Sequence, residues 1–300
     1  MRIDRLVRAI REQGAPIALG LDTRIEYIPE DFSRPFLEDC PDGRAEAVYA
    51  FNAALMSGLR DIAPCVKIQA AYYEMLGPGG MDCLGKTLAE AKRLGYVSIA
   101  DAKRGDIGAT AEAYSAAYLT DGAPFEADFL TVNPYLGTDG VKPFISDCER
   151  TGRGVFALVK TSNPSSGEFQ DLAALDGRLI YDHVADKVAE WGENLIGEEG
   201  YSSVGAVVGA TYPAQGAGLR ARMPRTFFLL PGYGAQGASA RGLGGCFDAS
   251  GQGAVVNASR SLLCAYRKNP RRGSDFVEAA REEAARMKAE FAEVLRHGRR

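Results

Sequence analysis

Apolar, β-rich runs alternate with helix-patterned stretches along the whole chain. The first run, IALGLD at 17–22, is followed by a helix over about 44–62. There Val48, Phe51, Leu55, Leu59 and Ile62 recur at three- and four-residue spacing and form one apolar stripe. VKIQ (66–69) precedes a helix carrying Leu84, Leu88 and Ala91, and YVSIADAK (96–103) leads into a helix from about Asp106 to Leu119. FLTVNPY (129–135) precedes a helix around Val141–Glu149, and GVFALVK (154–160) one around Leu179–Ile196. VGAVVGA (204–210) is followed by a short helix at 213–222, and TFFLLPG (226–232) by a glycine-rich loop. GAVVNAS (253–259) closes the series before a last helix with Phe276, Ala280, Ala284, Met287, Phe291 and Leu295 on one face.

About eight strands, each followed by a helical segment, predict an α/β protein with a (β/α)8 TIM barrel, one domain over 1–300. The strands are continuous apolar runs, as expected of a parallel sheet covered on its outer face. A doubly wound open sheet is the competing arrangement, because spacing does not prove closure. Three loops are long, at about 23–43, 161–176 and 232–252, and loops of that length are often functional.

Composition narrows the function classes. The 300 residues are 46% hydrophobic and 25% charged, with 35 basic and 39 acidic side chains and a net charge of −4. That is ordinary globular material, with no basic surface to suggest nucleic acid and no apolar run of membrane-spanning length. Six cysteines, none in a CxxC pair, read as reduced thiols of a cytoplasmic protein. The start, MRIDRLVRAIREQG, is charged and amphipathic and does not read as a signal peptide.

Ligands of parallel α/β folds bind at the carboxyl ends of the strands. Those ends carry Asp22, Lys67, Asp101-Ala102-Lys103 running on to Asp106, Asn133, Lys160-Thr161-Ser162, Pro231-Gly232-Tyr233-Gly234 and Asn257-Ala258-Ser259-Arg260. Asp101 and Lys103, two apart on a strand, share a face and point inward toward Lys67. Ionised groups inside a barrel are costly unless paired, and alternating lysines and carboxylates supply that pairing. A structural ion-pair network is one reading. Charges converging at strand ends favour the other, an active site. Asp106 serves equally as a helix N-cap or a catalyst, and Thr110 as an ordinary helix residue. The glycine-rich LLPGYGAQGA with VVNASR, on the last two strands, reads as a phosphate site with Gln236 and Arg260, or as a flexible loop with an exposed arginine.

Other chemistries lack support. His183 and His297 stand far apart in predicted helices, so neither a histidine metal site nor a Ser-His-Asp triad is evident. There is no GxGxxG after the first strand, and the glycine-rich stretch at 229–238 is not a GxxxxGK[ST] loop.

Taken in order, ALGLD, VKIQ, DAKRGDIGATA, VKTSNPSS, PGYGAQGA and VNASR resemble orotidine 5′-phosphate decarboxylases, in particular the longer bacterial branch. The resemblance spans roughly 17–260 and implies cofactor-independent decarboxylation of orotidine 5′-monophosphate to UMP, with no metal. It implies a charged tetrad of Lys67, Asp101, Lys103 and Asp106, with Lys103 stabilising and protonating the C6 carbanion. It also implies a homodimer in which Asp106, Ile107 and Thr110 act in the partner's site. Asp22 and Lys67 would touch ribose hydroxyls, and Ser162, or its neighbour Thr161, the pyrimidine amide edge. Pro231, Gln236 and Arg260 complete the substrate-binding set, the last two on the phosphate. Here the arginine follows Asn-Ala-Ser, not the Val-Gly of the shorter branch. The competing activity is a Mg2+-dependent ketose-phosphate aldolase or decarboxylase on a related DxKxxD barrel. It needs further carboxylates at strand ends, where only Asp22 is on offer. A non-catalytic phosphate-ligand binder is the third possibility.

Overall fold

A computed structural model describes residues 1–39, 42–233, 239–268 and 275–297. Eight parallel strands close into a barrel in sequence order, so the closed form prevails over the open sheet. They are β1 Ile17–Leu21, β2 Cys65–Gln69, β3 Val97–Arg104, β4 Phe129–Val132, β5 Gly154–Lys160, β6 Ser202–Val208, β7 Thr226–Leu230 and β8 Ala254–Ala258. β1 pairs with β8 through Ala18 and Asn257, which seals the cylinder. Almost every strand residue is buried, because helices cover the outer face and side chains fill the inner one.

The helix Arg2–Gln13 closes one end. It bonds to residues just before three strands: Arg2 N–H to Gly152 O at 2.8 Å, Arg5 to Gly95 O at 2.9 Å, and Asp4 accepting from Glu199 N–H at 2.9 Å. Its Ile3, Leu6, Val7 and Ile10 join the barrel's inner apolar cluster with Phe129, Phe156 and Phe227. Fully burying one such aliphatic side chain contributes roughly 1.5–3 kcal/mol. This helix covers the amino ends of the strands, opposite the carboxyl ends where ligands of such folds bind.

Several boundaries differ from the sequence reading. The expected loop at 23–43 contains a 3-10 turn, Ile25–Tyr27, and a helix, Glu30–Asp39, with Pro35 inside it. Tertiary contact supplies the reason: Phe32 packs 6.3 Å from Phe51 and 5.1 Å from Phe276 of the last helix, Phe276–His297. The 161–176 stretch holds a 3-10 turn, Pro164–Ser166, and a short helix, Gly167–Gln170. The helix expected from Asp106 starts at Gly108, and its N-cap is Ile107, so Asp106 is not the cap. The described cysteines, Cys65, Cys83, Cys148, Cys246 and Cys264, are all free thiols. Among the described residues no helix is long and apolar enough to cross a membrane.

Candidate active site

A cleft of about 610 Å³ opens at the carboxyl ends of the strands; β2 to β8 contribute to it, with Asp22 just beyond β1. Lys67 and Gln69 come from β2, Asp101 and Lys103 from β3, Thr131 from β4, and Leu158 from β5. Val207, Leu229 and Asn257 come from β6, β7 and β8, and Asp22 lies one residue beyond β1. Just past strand ends lie Thr161, Ser162, Pro231, Ser259 and Arg260.

One line of charges crosses the cleft. Lys103 Nζ lies 2.6 Å from Asp101 Oδ1, and Asp101 Oδ2 accepts from Lys67 Nζ at 3.0 Å. Lys67 Nζ also reaches Asp22 Oδ1 at 2.8 Å. Asp22 Oδ2 accepts from Ser259 Oγ at 2.8 Å, and Ser259 Oγ accepts from Asn257 Nδ2 at 3.0 Å. The amide orientation follows from proton counting: Ser259 spends its one proton on Asp22, so a donor must face its oxygen. Thr131 Oγ1 and Gln69 Nε2 supply Asp101's remaining bonds, at 2.9 and 3.0 Å. Every carboxylate oxygen of Asp22 and Asp101 is therefore held by a protein donor.

Burial shifts these groups against their charge, and the partners reverse it. Burial opposes ionisation of Asp101, but Lys67 and Lys103 outweigh it and hold the carboxyl well below the usual carboxylate range. Burial likewise opposes the Lys67 ammonium, but Asp22 and Asp101 outweigh it and keep the group above the usual lysine range. The cleft thus keeps fixed charge at neutral pH.

The end of β3 is irregular. Its register with β4 shifts between Ala100 and Arg104, and Lys103 has φ 48°, the one positive value among described non-glycine residues. Thr131 Oγ1 accepts the Lys103 N–H at 2.9 Å and stabilises this left-handed turn. Lys103 therefore reaches the cleft from a bulge and not by plain strand alternation. Its side chain is 44% exposed, unlike the buried Lys67, so the ammonium faces the space a ligand would fill.

Of the expected site residues, Asp22, Lys67, Asp101, Lys103, Ser162, Pro231 and Arg260 line this one cleft. Asp106, Ile107 and Thr110 do not line it within their own chain. The Asp106 carboxylate accepts the neighbouring Ile107 N–H at 2.8 Å, and Ile107 and Thr110 are exposed. Gln236 lies outside the described residues. His183 sits on a helix surface, 3.2 Å from Asp176. Sequence reading placed Asn257 and Ser259 at a strand end without giving them a role, and missed Gln69 and Thr131. Gln69 sits two residues from Lys67 on the same strand, a usable signal. Thr131 carried only the weaker one of a lone hydroxyl in an apolar strand.

Comparison with known proteins agrees with the barrel fold. Residues 52–272 match the family model described as the orotidine 5′-phosphate decarboxylase / HUMPS family. The chain is 44% identical over 268 residues to the orotidine 5′-phosphate decarboxylase of Rhodopirellula baltica, covering 88% of each. It is 39% identical over 289 residues to that of Clostridium novyi, covering 96% of this chain and 98% of the relative. The solved OMP decarboxylase of Leishmania donovani superposes with a TM-score of 0.75 at 29% identity, covering 97% of this chain and 98% of its own.

Proposed function

From the premise that this chain belongs to the orotidine 5′-phosphate decarboxylase family and converts orotidine 5′-monophosphate to UMP in pyrimidine nucleotide synthesis, we propose how its cleft performs the reaction. The observation that carries the reading is the unbroken Lys103–Asp101–Lys67–Asp22 line in one cleft with Arg260.

Loss of CO2 from C6 leaves an electron pair in the plane of the pyrimidine, orthogonal to its π system, where ring carbonyls delocalise it poorly. Stabilisation must then come from charge already in place. A preorganised ammonium in a water-poor site supplies it with little reorganisation. Lys103 holds that position in our reading, and it then delivers its proton to C6 as general acid. Asp101 keeps Lys103 aimed. Lys67 and Asp22 engage the ribose hydroxyls, Ser162 or Thr161 the amide edge of the base, and Arg260 the phosphate, with Pro231 in the wall between. Gln236 is the second phosphate ligand in this scheme. The phosphate is remote from C6, so its binding energy serves the transition state by closing loops around the nucleotide.

Asp106, Ile107 and Thr110 complete the partner's site in a homodimer. Their outward placement beside exposed Tyr135 and Leu136 supports that arrangement. A cytoplasmic location is supported by free cysteines in a family of nucleotide enzymes. The ketose-phosphate alternative is not favoured, because the matched relatives bear the decarboxylase name over nearly their whole lengths.

The deciding experiment follows the absorbance of orotidine 5′-monophosphate with purified protein in EDTA, for wild type and Lys103→Ala. Wild type should convert substrate to UMP. The variant should stay folded and bind UMP but lose at least about 10²-fold in turnover, the scale for one preorganised group. A Lys103→Ala enzyme with full turnover would remove Lys103 from the chemistry.

A further inference from the structure

The chain buries one more lysine near the cleft, outside the charge line just described. Lys160 ends β5 and is fully buried. Its Nζ donates to Asp171 Oδ1 at 2.8 Å and to Ser166 Oγ at 3.1 Å, and stands 4.7 Å from the ring centre of Tyr212. Both bonding partners belong to the segment that follows β5 and not to the barrel. Replacing a buried ion pair with apolar side chains often costs nothing, so general stability is a weak account of this ammonium. Its geometric effect is specific: it pins the far end of an eleven-residue excursion back onto the strand that launches it.

That excursion begins with cleft wall. Thr161, Ser162 and Asn163 line the cleft. Gln170, next to Asp171, accepts the Thr161 N–H at 2.9 Å and donates to Thr161 Oγ1 at 2.8 Å, and Thr161 Oγ1 donates to Asn163 Oδ1 at 2.6 Å. Tyr212, whose ring faces the Lys160 ammonium, donates to Asn163 O at 3.2 Å. Two routes thus run from Lys160 to the cleft wall, one through Asp171 and Gln170 and one through Tyr212.

We propose that Lys160 is a positioning residue for base recognition: by clamping Asp171 and Ser166 it holds Thr161 and Ser162 where they meet the pyrimidine. The inference rests on the reading above that these two side chains face the base. It predicts that loss of the clamp weakens only ligands that carry a pyrimidine.

The test compares UMP with ribose 5-phosphate, which keeps the sugar and phosphate and lacks the base, as competitive inhibitors of Lys160→Met and Asp171→Asn. Asp171 is part-exposed, so its variant serves if Lys160→Met does not fold; circular dichroism and melting curves establish folding for both. The expected result is UMP inhibition weakened by about tenfold, the scale of one hydrogen bond lost to a ligand, with ribose 5-phosphate unchanged. Equal weakening of both ligands, or of neither, overturns the proposal. A Thr161→Val/Ser162→Ala double variant serves as reference. If it fails to separate the two ligands, the base-facing reading itself falls. If it separates them and the clamp variants do not, only the role of Lys160 falls.

Discussion

Gly20 passes so close to Ser259 that a Cβ on it would stand 2.0 Å from Ser259 Oγ. The same Cβ would lie 2.6 Å from Asn257 Oδ1. Gly20 sits opposite Lys67 in the sheet, so its bare backbone is the space through which Ser259 reaches Asp22. The Gly20→Ala variant should lose about 1–3 kcal/mol of stability by overpacking. It should also lose roughly tenfold or more in kcat/KM, because small displacements of positioned groups are costly. Adding Ser259→Ala should recover only part of the melting temperature, because the approach to Asn257 Oδ1 remains, and should not recover the activity. A Gly20→Ala enzyme with wild-type melting and turnover would contradict the packing described here.

Thr131 joins the chemistry of Asp101 to the backbone of Lys103, donating to one and accepting from the other with the same oxygen. Thr131→Val keeps the shape and removes both bonds. A hydrogen bond to a charged group is worth about 1.5–3 kcal/mol, so kcat should fall by roughly tenfold to a hundredfold. UMP affinity should change little, since Thr131 acts through Lys103. Thr131→Ser should recover most of the loss; a serine variant as slow as valine would point to the lost methyl group and not the hydroxyl.

The barrel was legible because its strands are buried on both faces and appear as unbroken apolar runs. The strand ends were less so: Ser202 and Ser203 are polar yet buried at the start of β6, and Asn133 falls just after β4. The helix Glu30–Asp39 was hidden by Pro35 and by its dependence on Phe51 and Phe276, distant in sequence. In the site, Asp22, Lys67, Asp101, Lys103 and Arg260 stood out as charges at strand ends. Thr131 did not, and Asn257 and Ser259 were placed at a strand end without a role, because an uncharged polar residue in an apolar strand has no assignable part until its partners are known. The placement of Lys103 needed a bulge and a left-handed turn that alternation does not foresee.

Asp101 and Lys67 set opposite limits on pH. Burial opposes the Asp101 charge, but Lys67 and Lys103 depress its folded pKa, so its contribution to stability is whole above the unfolded value of about 3.9 and is lost as pH falls toward the folded one. Lys67 is the reverse: burial opposes it, Asp22 and Asp101 raise it, and its contribution is whole below about 10.4 and lost as pH rises through the folded value. Asp101→Asn should therefore cost about 3–5 kcal/mol at neutral pH, the range for unpairing a buried charge. Urea unfolding at a series of pH values should show that gap constant from about 5 to 9 and narrowing below about 4. A gap that persisted undiminished into strong acid would mean that Asp101's charge is not what stabilises the fold.

The proposed dimer makes a demand that a monomer cannot meet. Ile107 is 57% exposed, and Tyr135 and Leu136 are 85% and 49% exposed. They form one neighbourhood with Asp106: a Cβ on Gly140 would sit 3.0 Å from Leu136 Cβ and 3.1 Å from Asp106 O. In the proposed dimer a second copy covers these apolar side chains, and Asp106, on the turn just before Ile107 and close to the Leu136 turn, lies at the edge of that contact. Each active site would then need Lys103 from one chain and Asp106 from the other. Lys103→Ala and Asp106→Ala should each be inactive alone, yet mixed and allowed to exchange they should regain roughly a quarter of wild-type sites, because half the dimers are mixed and each of those holds one intact site. Ile107→Asp should shift the sedimentation of wild type toward the monomer and make activity depend on protein concentration. If the mixture stays dead while exchange is demonstrated by a size-tagged copy, Asp106 acts within its own chain or not at all.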